Sequence, residues 1–223
     1  LALEATEGFR LAPSVYSPPS LADAEDGTRG TLSLPSATGG ANWEGAAIDP
    51  ETGMIFVPSR TALAVMSLGK DDDSDLDLSA AFGVRVPRVQ GLEIVKPPYG
   101  RITAIDMNTG EHQWMIANAD TPDRIKNHRL LEGVEIERTG IPTRSGVLVT
   151  KSLLFVGEGT GGPGASPIFR AVDKATGEIL AEIDLPNNQS GLPFTYEHDG
   201  KQYLAMFVSG GGQAAQLVAY ALP

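Results

Sequence analysis

Short runs of apolar and β-branched residues alternate with compact polar turns along the whole chain. Runs such as 54–57, 102–105 and 153–156 end at turn-forming residues and do not extend into amphipathic segments of helical length. Asp199 and Gly200 form a further turn signal before an apolar run, as in a two-residue hairpin. The chain contains 26 Gly and 16 Pro spread throughout, which favours many short strands over long helices. The pattern predicts an all-β fold.

A five-residue turn that begins with Asp and ends with Gly occurs three times. The copies lie at residues 49–53, 106–110 and 173–177, each beside a β-prone run. The leading Asp can accept hydrogen bonds from the turn backbone, and the closing Gly can adopt a positive φ without steric cost. We therefore predict three hairpins. Because the copies are further apart than one four-stranded unit requires, we also predict insertions at about 68–98 and 118–143.

Trp114 closes one of these repeats, in a segment of the form A-x-D-x-x-T-G-x-x-x-W. A large flat ring at the end of an outer strand can bury area between neighbouring sheets, so we predict a structural role for it. The third repeat keeps Ala171 and Asp173 but has Ala181 at the tryptophan position. The corresponding contact is expected to be weaker or absent there.

Charge and composition exclude several functional classes. The chain has 17 Lys plus Arg against 28 Asp plus Glu, a net charge of -11, which is unsuited to binding nucleic acid. The absence of Cys excludes disulfides, thiolate metal sites and a Cys nucleophile. No apolar run reaches the ~18 to 20 residues that a membrane-spanning helix needs. The sequence begins at Leu1 and shows no signal peptide, so we expect it to be part of a longer protein.

Two motifs with apparent chemistry are better explained structurally. Residues 157–162 fit the pattern G-x-G-x-x-G, but the Pro-containing stretch 163–167 and a strand follow, whereas a dinucleotide site needs a helix there. The acidic run 71–77 resembles the start of a calcium loop, but Leu76 replaces the glycine of the sharp turn. A solvated insertion is the favoured interpretation of that run. The three histidines show no metal-ligand spacing, and a nucleophile-elbow motif is absent.

Residues 39–45 (GGANWEG) are the best candidate for a ligand site. Glycines allow close backbone approach to a flat ligand, Asn42 supplies a donor and an acceptor, and Trp43 supplies a stacking face. From these residues alone, a ligand site and a buried turn are both possible.

Taken together, several segments resemble the C-terminal portion of the pyrroloquinoline quinone (PQQ) dependent dehydrogenases, most closely the membrane-type quinoprotein glucose dehydrogenase branch. The segments with this resemblance are 39–53, 100–114, 148–159, 171–185 and 191–212. The resemblance implies an eight-bladed β-propeller with PQQ and a calcium ion at its central axis. Residues 1–223 would then form about three to four C-terminal blades, which would join the N-terminal blades of the same propeller.

The resemblance also implies cofactor-binding residues. Asn42 matches the family asparagine that approaches the PQQ ring carbonyls, and Trp43 is expected to shape the same pocket. Gly211 lies in a late glycine-rich loop that the family places near the cofactor, although the tryptophan often found in such loops is missing here. The catalytic residues, including the general base, and most calcium ligands come from earlier blades in this family, so we predict no metal ligand in this chain.

The activity implied by the resemblance is oxidation of an alcohol group of a sugar or polyol, with PQQ as hydride acceptor and a quinone or cytochrome as electron acceptor. It also implies a periplasmic location, with inner-membrane attachment through a region outside this chain, and a fragment that is inactive alone. Two alternatives stay open: a non-catalytic PQQ-like-repeat propeller that acts as a protein-interaction scaffold, and a hydrolase or lyase propeller. A scaffold has no need for the Gly-Gly-x-Asn-Trp segment, which favours the enzyme.

Overall fold

Short strands form most of the regular structure, which confirms the predicted all-β class. The computed structural model describes residues 1–12, 14, 16–81 and 83–221. The strands are β1 (Arg10–Leu11), β2 (Ser20–Leu21), β3 (Thr31–Ser33), β4 (Ala47–Asp49), β5 (Met54–Arg60), β6 (Ala64–Gly69), β7 (Ser79–Ala80), β8 (Arg88–Val89), β9 (Leu92–Glu93), β10 (Gly100–Asp106), β11 (His112–Ala117), β12 (Val147–Val149), β13 (Leu153–Gly157), β14 (Ile168–Asp173), β15 (Ile179–Asp184), β16 (Phe194–His198), β17 (Lys201–Gly210) and β18 (Gln213–Ala221). The helical elements are α1 (Ala2–Ala5), α2 (Asp123–Lys126) and a 3₁₀ turn at Arg129–Leu131. Within the described residues, no helix is long and apolar enough to cross a membrane.

The chain divides into two compact units. The first combines Leu1–Gly40 with Thr61–Lys96, and the second combines Ala41–Arg60 with Pro97–Pro223. In the first unit, β3 and β6 pair antiparallel, β1 and β2 add parallel to their outer sides, and β7 pairs with β6. Strands β8 and β9 form a separate hairpin. Most of the stretch 68–98 belongs to this unit, and it separates β5 from its partner β10 along the chain.

The second unit contains three consecutive antiparallel sheets, with strand orders β11-β10-β5-β4, β12-β13-β14-β15 and β16-β17-β18. The middle sheet buries both faces, because side chains alternate along each strand. Leu154 and Val156 of β13 belong to an apolar cluster with Phe56 of the preceding sheet. Phe155, between them, belongs to a second cluster with Met206 of the following sheet. The sheets therefore stack face to face, as blades do.

All three predicted Asp-to-Gly turns are hairpins, between β4 and β5, β10 and β11, and β14 and β15. In each turn the leading carboxylate accepts a backbone hydrogen bond from the residue two positions later; the N···O distances are 3.1 Å at Asp49, 2.8 Å at Asp106 and 2.8 Å at Asp173. The closing glycines have positive φ, at 72° for Gly53, 76° for Gly110 and 79° for Gly177. Backbone hydrogen bonds from Thr176 and Ala175 hold the pKa of the Asp173 carboxyl below its ordinary value.

Trp114 connects the first two of these sheets, as predicted. Its indole Nε1 donates to the backbone carbonyl of Lys174, 3.1 Å away, in the turn of the second sheet. The Lys174 ammonium in turn lies 2.6 Å from Asp49 Oδ2, in the turn of the first sheet. The strand register is the same in the second sheet, where Ala181 pairs with Ala171 as Trp114 pairs with Ala104 in the first. Ala181 is exposed and has no ring, so it cannot make the contact that Trp114 makes.

Candidate functional site

The residues that precede β4, β12 and β16 meet at one end of the three sheets. Trp43 and Glu44 precede β4, Arg144 and Gly146 precede β12, and residues 189–192 precede β16. Together with Thr160 they line a cavity of about 270 Å³. The turns locked by Trp114 follow β4 and β14 and therefore lie at the opposite end of the sheets. The Trp114 contact between the first two sheets therefore lies away from the cavity.

The structure brings two of the three predicted site residues into one turn. Trp43 is 88% exposed, and its ring lines the cavity. Asn42 is half-buried beside it, and its backbone carbonyl accepts a hydrogen bond from Gly45 N at 2.9 Å. Gly211 lies in the exposed turn between β17 and β18 and does not line the cavity.

Asparagine side chains link the Gly211 turn to the segment that lines the cavity. Asn187 Nδ2 donates to Gly210 O at 2.9 Å, and Asn188 Nδ2 donates to Gly159 O at 3.1 Å. These residues directly precede the stretch 189–192 at the cavity wall. The turn at Gly211 is thus connected to the cavity wall through the segment that begins at Asn187.

An ion pair joins the two sides of the cavity. The Arg144 guanidinium donates from Nε to a carboxylate oxygen of Glu44. Arg144 is held by its backbone, which exchanges hydrogen bonds with Thr160 at 2.7 and 3.2 Å. The two charged side chains occupy equivalent positions, each three residues before the first strand of its own sheet. Their charges cancel, so this pair adds no net charge to the cavity.

Gln189 holds the floor of the cavity together. Its side chain is 1% exposed and makes three hydrogen bonds. Oε1 accepts from Gly157 N at 2.9 Å, and Nε2 donates to Gly146 O at 3.1 Å and to Gly191 O at 2.9 Å. A Cβ on Gly157 would lie 2.3 Å from Gln189 Oε1, so a glycine is required there. The glycine-rich run that follows β13 thus serves close packing, and it leads to a strand rather than a helix.

A buried charge pair lies behind this floor. Arg170 Nη2 is 2.7 Å from Glu158 Oε1, and both side chains are nearly inaccessible, at 3% and 2% exposure. Burial by itself lowers the pKa of Arg170, but hydrogen bonds and charges from Glu158 and Glu182 outweigh it and raise the pKa above its ordinary value. Ser145 Oγ donates to the Glu158 backbone carbonyl at 3.0 Å, which ties this pair to the loop before β12. The pair therefore supports the loop before β12 from inside the sheet.

Residues 1–12, 14, 16–81 and 83–221 contain no cluster of side chains suited to bind a metal ion. In these stretches no three His, Asp or Glu side chains are placed so that they could hold an ion. In the acidic run, Asp71 Oδ1 accepts from Asp73 N at 3.1 Å, which is an ordinary turn contact.

Sequence reasoning did not single out Arg144, Glu44 or Gln189. Arg144 and Glu44 are one hundred residues apart in the sequence. The one signal that could have paired them is their equivalent position in the repeat, three residues before β12 and β4 respectively. Gln189 sits in a polar linker with no motif, and its three partners belong to separate segments. Such a residue can be recognised only once the sheets are assembled.

Sequence comparison gives a consistent family assignment. The profile described as "PQQ: Glucose/ethanol/alcohol dehydrogenase, beta-propeller domain" matches residues 2–204. The glycerol dehydrogenase large subunit of Gluconobacter thailandicus is 28% identical over 96% of this chain and 32% of its own length. Quinoprotein glucose dehydrogenase A of Acinetobacter calcoaceticus is 28% identical over 94% of this chain and 27% of its own length. The chain therefore spans about a third or less of these curated relatives.

Structure comparison agrees on the fold. The quinohemoprotein alcohol dehydrogenase ADHIIG of Pseudomonas putida HK5 superposes with a TM-score of 0.52, at 18% identity, over 81% of this chain and 24% of that one. The stacked sheets of the second unit are accordingly blades of a propeller. With the profile covering nearly all of its residues, the chain belongs to the PQQ-dependent glucose/ethanol/alcohol dehydrogenase β-propeller family.

Proposed function

We propose that this chain forms part of a quinoprotein dehydrogenase that oxidises an alcohol group of a sugar or polyol and passes the electrons to a quinone or cytochrome. The observation that carries the proposal is the exposed indole of Trp43 beside Asn42, in a chain of the PQQ family. Both residues lie at the end of the sheets where β4, β12 and β16 begin. The membrane-type glucose dehydrogenase branch is the specific assignment that we favour.

Trp43 at the cavity, with Asn42 and Gly211 outside its lining, suits part of the surface of PQQ, a flat quinone that carries carboxylates. The Trp43 ring offers an open aromatic face, and the Asn42 amide offers a donor for a ring oxygen. The backbone of Gly211 is exposed and has no side chain to block close approach. Glu44 already neutralises Arg144, so a cationic partner for the quinone oxygens belongs, in this proposal, to other blades.

The roles follow from these chemical properties. When bound, PQQ supplies the electrophilic quinone carbonyl that accepts a hydride from the alcohol carbon. Asn42 would hold the cofactor by donating a hydrogen bond to a quinone oxygen, since preorganised donors stabilise developing negative charge. Trp43 would offer its ring face to the cofactor, and Gln189 keeps the cavity floor rigid. We assign the general base and the ligands of a calcium ion to blades outside this chain.

The proposal extends to the assembly and its location. We propose that the N-terminal blades of the same propeller complete the site, that the protein acts in the periplasm, and that inner-membrane attachment lies outside this chain. The 223 residues alone are expected to have no dehydrogenase activity, because the proposed base and metal ligands lie elsewhere.

A titration with PQQ tests the proposal. Absorbance and fluorescence of this chain are followed as PQQ is added, with and without calcium, for the wild type, Asn42→Ala and the control Asn127→Ala. Asn127 is exposed and follows α2, away from the cavity lining. We expect saturable binding that Asn42→Ala weakens and Asn127→Ala leaves unchanged. Equal binding by all three variants, or failure of the full-length protein to bind PQQ, contradicts the proposal.

A further inference from the structure

The cavity has a charged side that the proposed cofactor site does not use. Glu44 and Arg144 face each other across it, beside the open indole of Trp43. Glu44 is 19% exposed and Arg144 is 45% exposed, so both remain accessible to a small molecule. The hydroxyl-bearing residues Thr160 and Ser190 complete this side of the wall.

The ion pair matches the hydrogen bonding of a neutral polyol. A carboxylate accepts hydrogen bonds and a guanidinium donates them, so adjacent hydroxyl groups can bridge Glu44 and Arg144 without any net charge. At about 270 Å³, the cavity is near the low end of ligand pockets, which suits a molecule no larger than a simple sugar.

The same pair disfavours a carboxylate on the ligand. A free Arg144 would attract an acidic substrate such as a sugar acid, since arginine binds carboxylates with two parallel hydrogen bonds. Here Glu44 occupies that guanidinium and adds a like charge at the place where the substrate carboxylate would bind.

We propose that Glu44 and Arg144 form a subsite for the neutral hydroxyl groups of the substrate, and that Glu44 is the residue that selects neutral polyols over polyhydroxy acids. This inference rests on the proposed function, since it names the substrate class of the same site. It requires that Glu44 act by neutralising the Arg144 guanidinium and not by stabilising the fold.

Nuclear magnetic resonance of this chain provides the test. The indole N–H of Trp43 reports on the cavity, and Trp114 provides an internal reference at the opposite end of the sheets. Sorbitol and gluconate, which have the same number of carbons, are titrated against the wild type, Glu44→Gln and the double variant Glu44→Gln/Arg144→Gln. The dispersion of the backbone amide signals shows whether each variant is folded.

The wild type is expected to show sorbitol-dependent shifts of the Trp43 signal and markedly weaker shifts with gluconate. Glu44→Gln is expected to bind gluconate about fivefold more tightly, as one newly available, partly exposed charge pair allows. The double variant removes the guanidinium and should lose that gain. Trp114 should not shift in any titration.

Three results overturn the inference: no response of the Trp43 signal to either ligand, equal response of the wild type to both ligands, or unchanged gluconate affinity in folded Glu44→Gln. If PQQ binding still depends on Asn42 in these cases, the dehydrogenase assignment survives and only the subsite is wrong. If sorbitol selectivity is observed but the full-length protein does not bind PQQ, the proposed function fails, and Glu44 and Arg144 form a binding site for neutral polyols without a role in oxidation.

Discussion

The two tryptophans of the chain should differ sharply in their effect on stability. Trp114 is half-buried, lies on Gly177 of the next sheet, and has its ring centre 5.7 Å from that of Phe56. Its indole N–H also donates to Lys174 O. Trp43 is 88% exposed at the cavity. We therefore predict that Trp114→Ala destabilises the protein, whereas Trp43→Ala leaves its stability nearly unchanged.

The magnitude follows from the contacts. Truncating a fully buried tryptophan costs about 3 to 5 kcal/mol, so the apolar part for half-buried Trp114 is about 2 kcal/mol. The lost hydrogen bond to Lys174 adds about 1 kcal/mol. Trp114→Ala should therefore lower the free energy of unfolding by about 3 kcal/mol, and Trp114→Phe, which keeps a ring, by about 1 kcal/mol. Trp43→Ala should stay within about 0.5 kcal/mol of the wild type.

Urea unfolding followed by far-ultraviolet circular dichroism measures these differences without depending on tryptophan emission. Hydrogen exchange locates the effect, because Trp114→Ala should raise the exchange rates of β10 and β14 amides most strongly. A loss below about 1 kcal/mol in Trp114→Ala, or an equal loss in Trp43→Ala, would refute the division of roles drawn from their burial.

Two further predictions concern the sheet turns and the cavity floor. A hydrogen bond from the Lys174 ammonium, and to a smaller extent one from the Thr52 hydroxyl, lowers the pKa of Asp49 from 3.8 to about 2. The contribution of this interaction to the free energy of unfolding should be complete above about pH 4 and should be lost as the pH falls through 2. Acid unfolding curves of the wild type and Asp49→Asn should therefore converge near pH 2, and a constant gap between them contradicts this cause. Gly157→Ala places a Cβ against both Oε1 and Cβ of Gln189 and should cost about 1 to 3 kcal/mol in urea unfolding, but less in a Gln189→Gly background, which removes both atoms; an equal cost in both backgrounds excludes the clash.

Sequence reasoning succeeded where a feature is local. The Asp-to-Gly turns depend on bonds within five residues, and their backbone preferences are intrinsic to Asp and Gly, so Asp49 and Asp173 could be assigned correctly from the sequence. Trp114 could be predicted because its position within the repeat is fixed relative to such a turn. Its acceptor at Lys174 is 60 residues away, but it lies in the next copy of the same turn.

Sequence reasoning missed features that depend on the assembly of separate sheets. The partners of Gln189 come from three segments whose meeting point is set by sheet packing, and an isolated glutamine in a linker carries no sign of it. The same is true of Glu158, which directly follows β13, and Arg170 of β14, which look like surface charges in the sequence but are buried. Asn42 and Trp43 stood out in the sequence for their amide and indole groups beside glycines, and family resemblance added Gly211 and the cofactor role; all three site residues stay predictions.

The position of the ion pair should allow the site to be altered without loss of the fold. The contacts of Trp114 and Asp49 with the turn at Lys174, which join the first sheet to the second, lie at the end away from the cavity. At the cavity end the buried Asn118 side chain joins the same two sheets without involving Glu44 or Arg144. Glu44 and Arg144 lie at the cavity end, in segments that precede strands, and an exchange of their side chains removes no sheet hydrogen bond. Because an exposed ion pair contributes at most about 1 kcal/mol, neutralising it should change what the cavity binds far more than whether the chain folds.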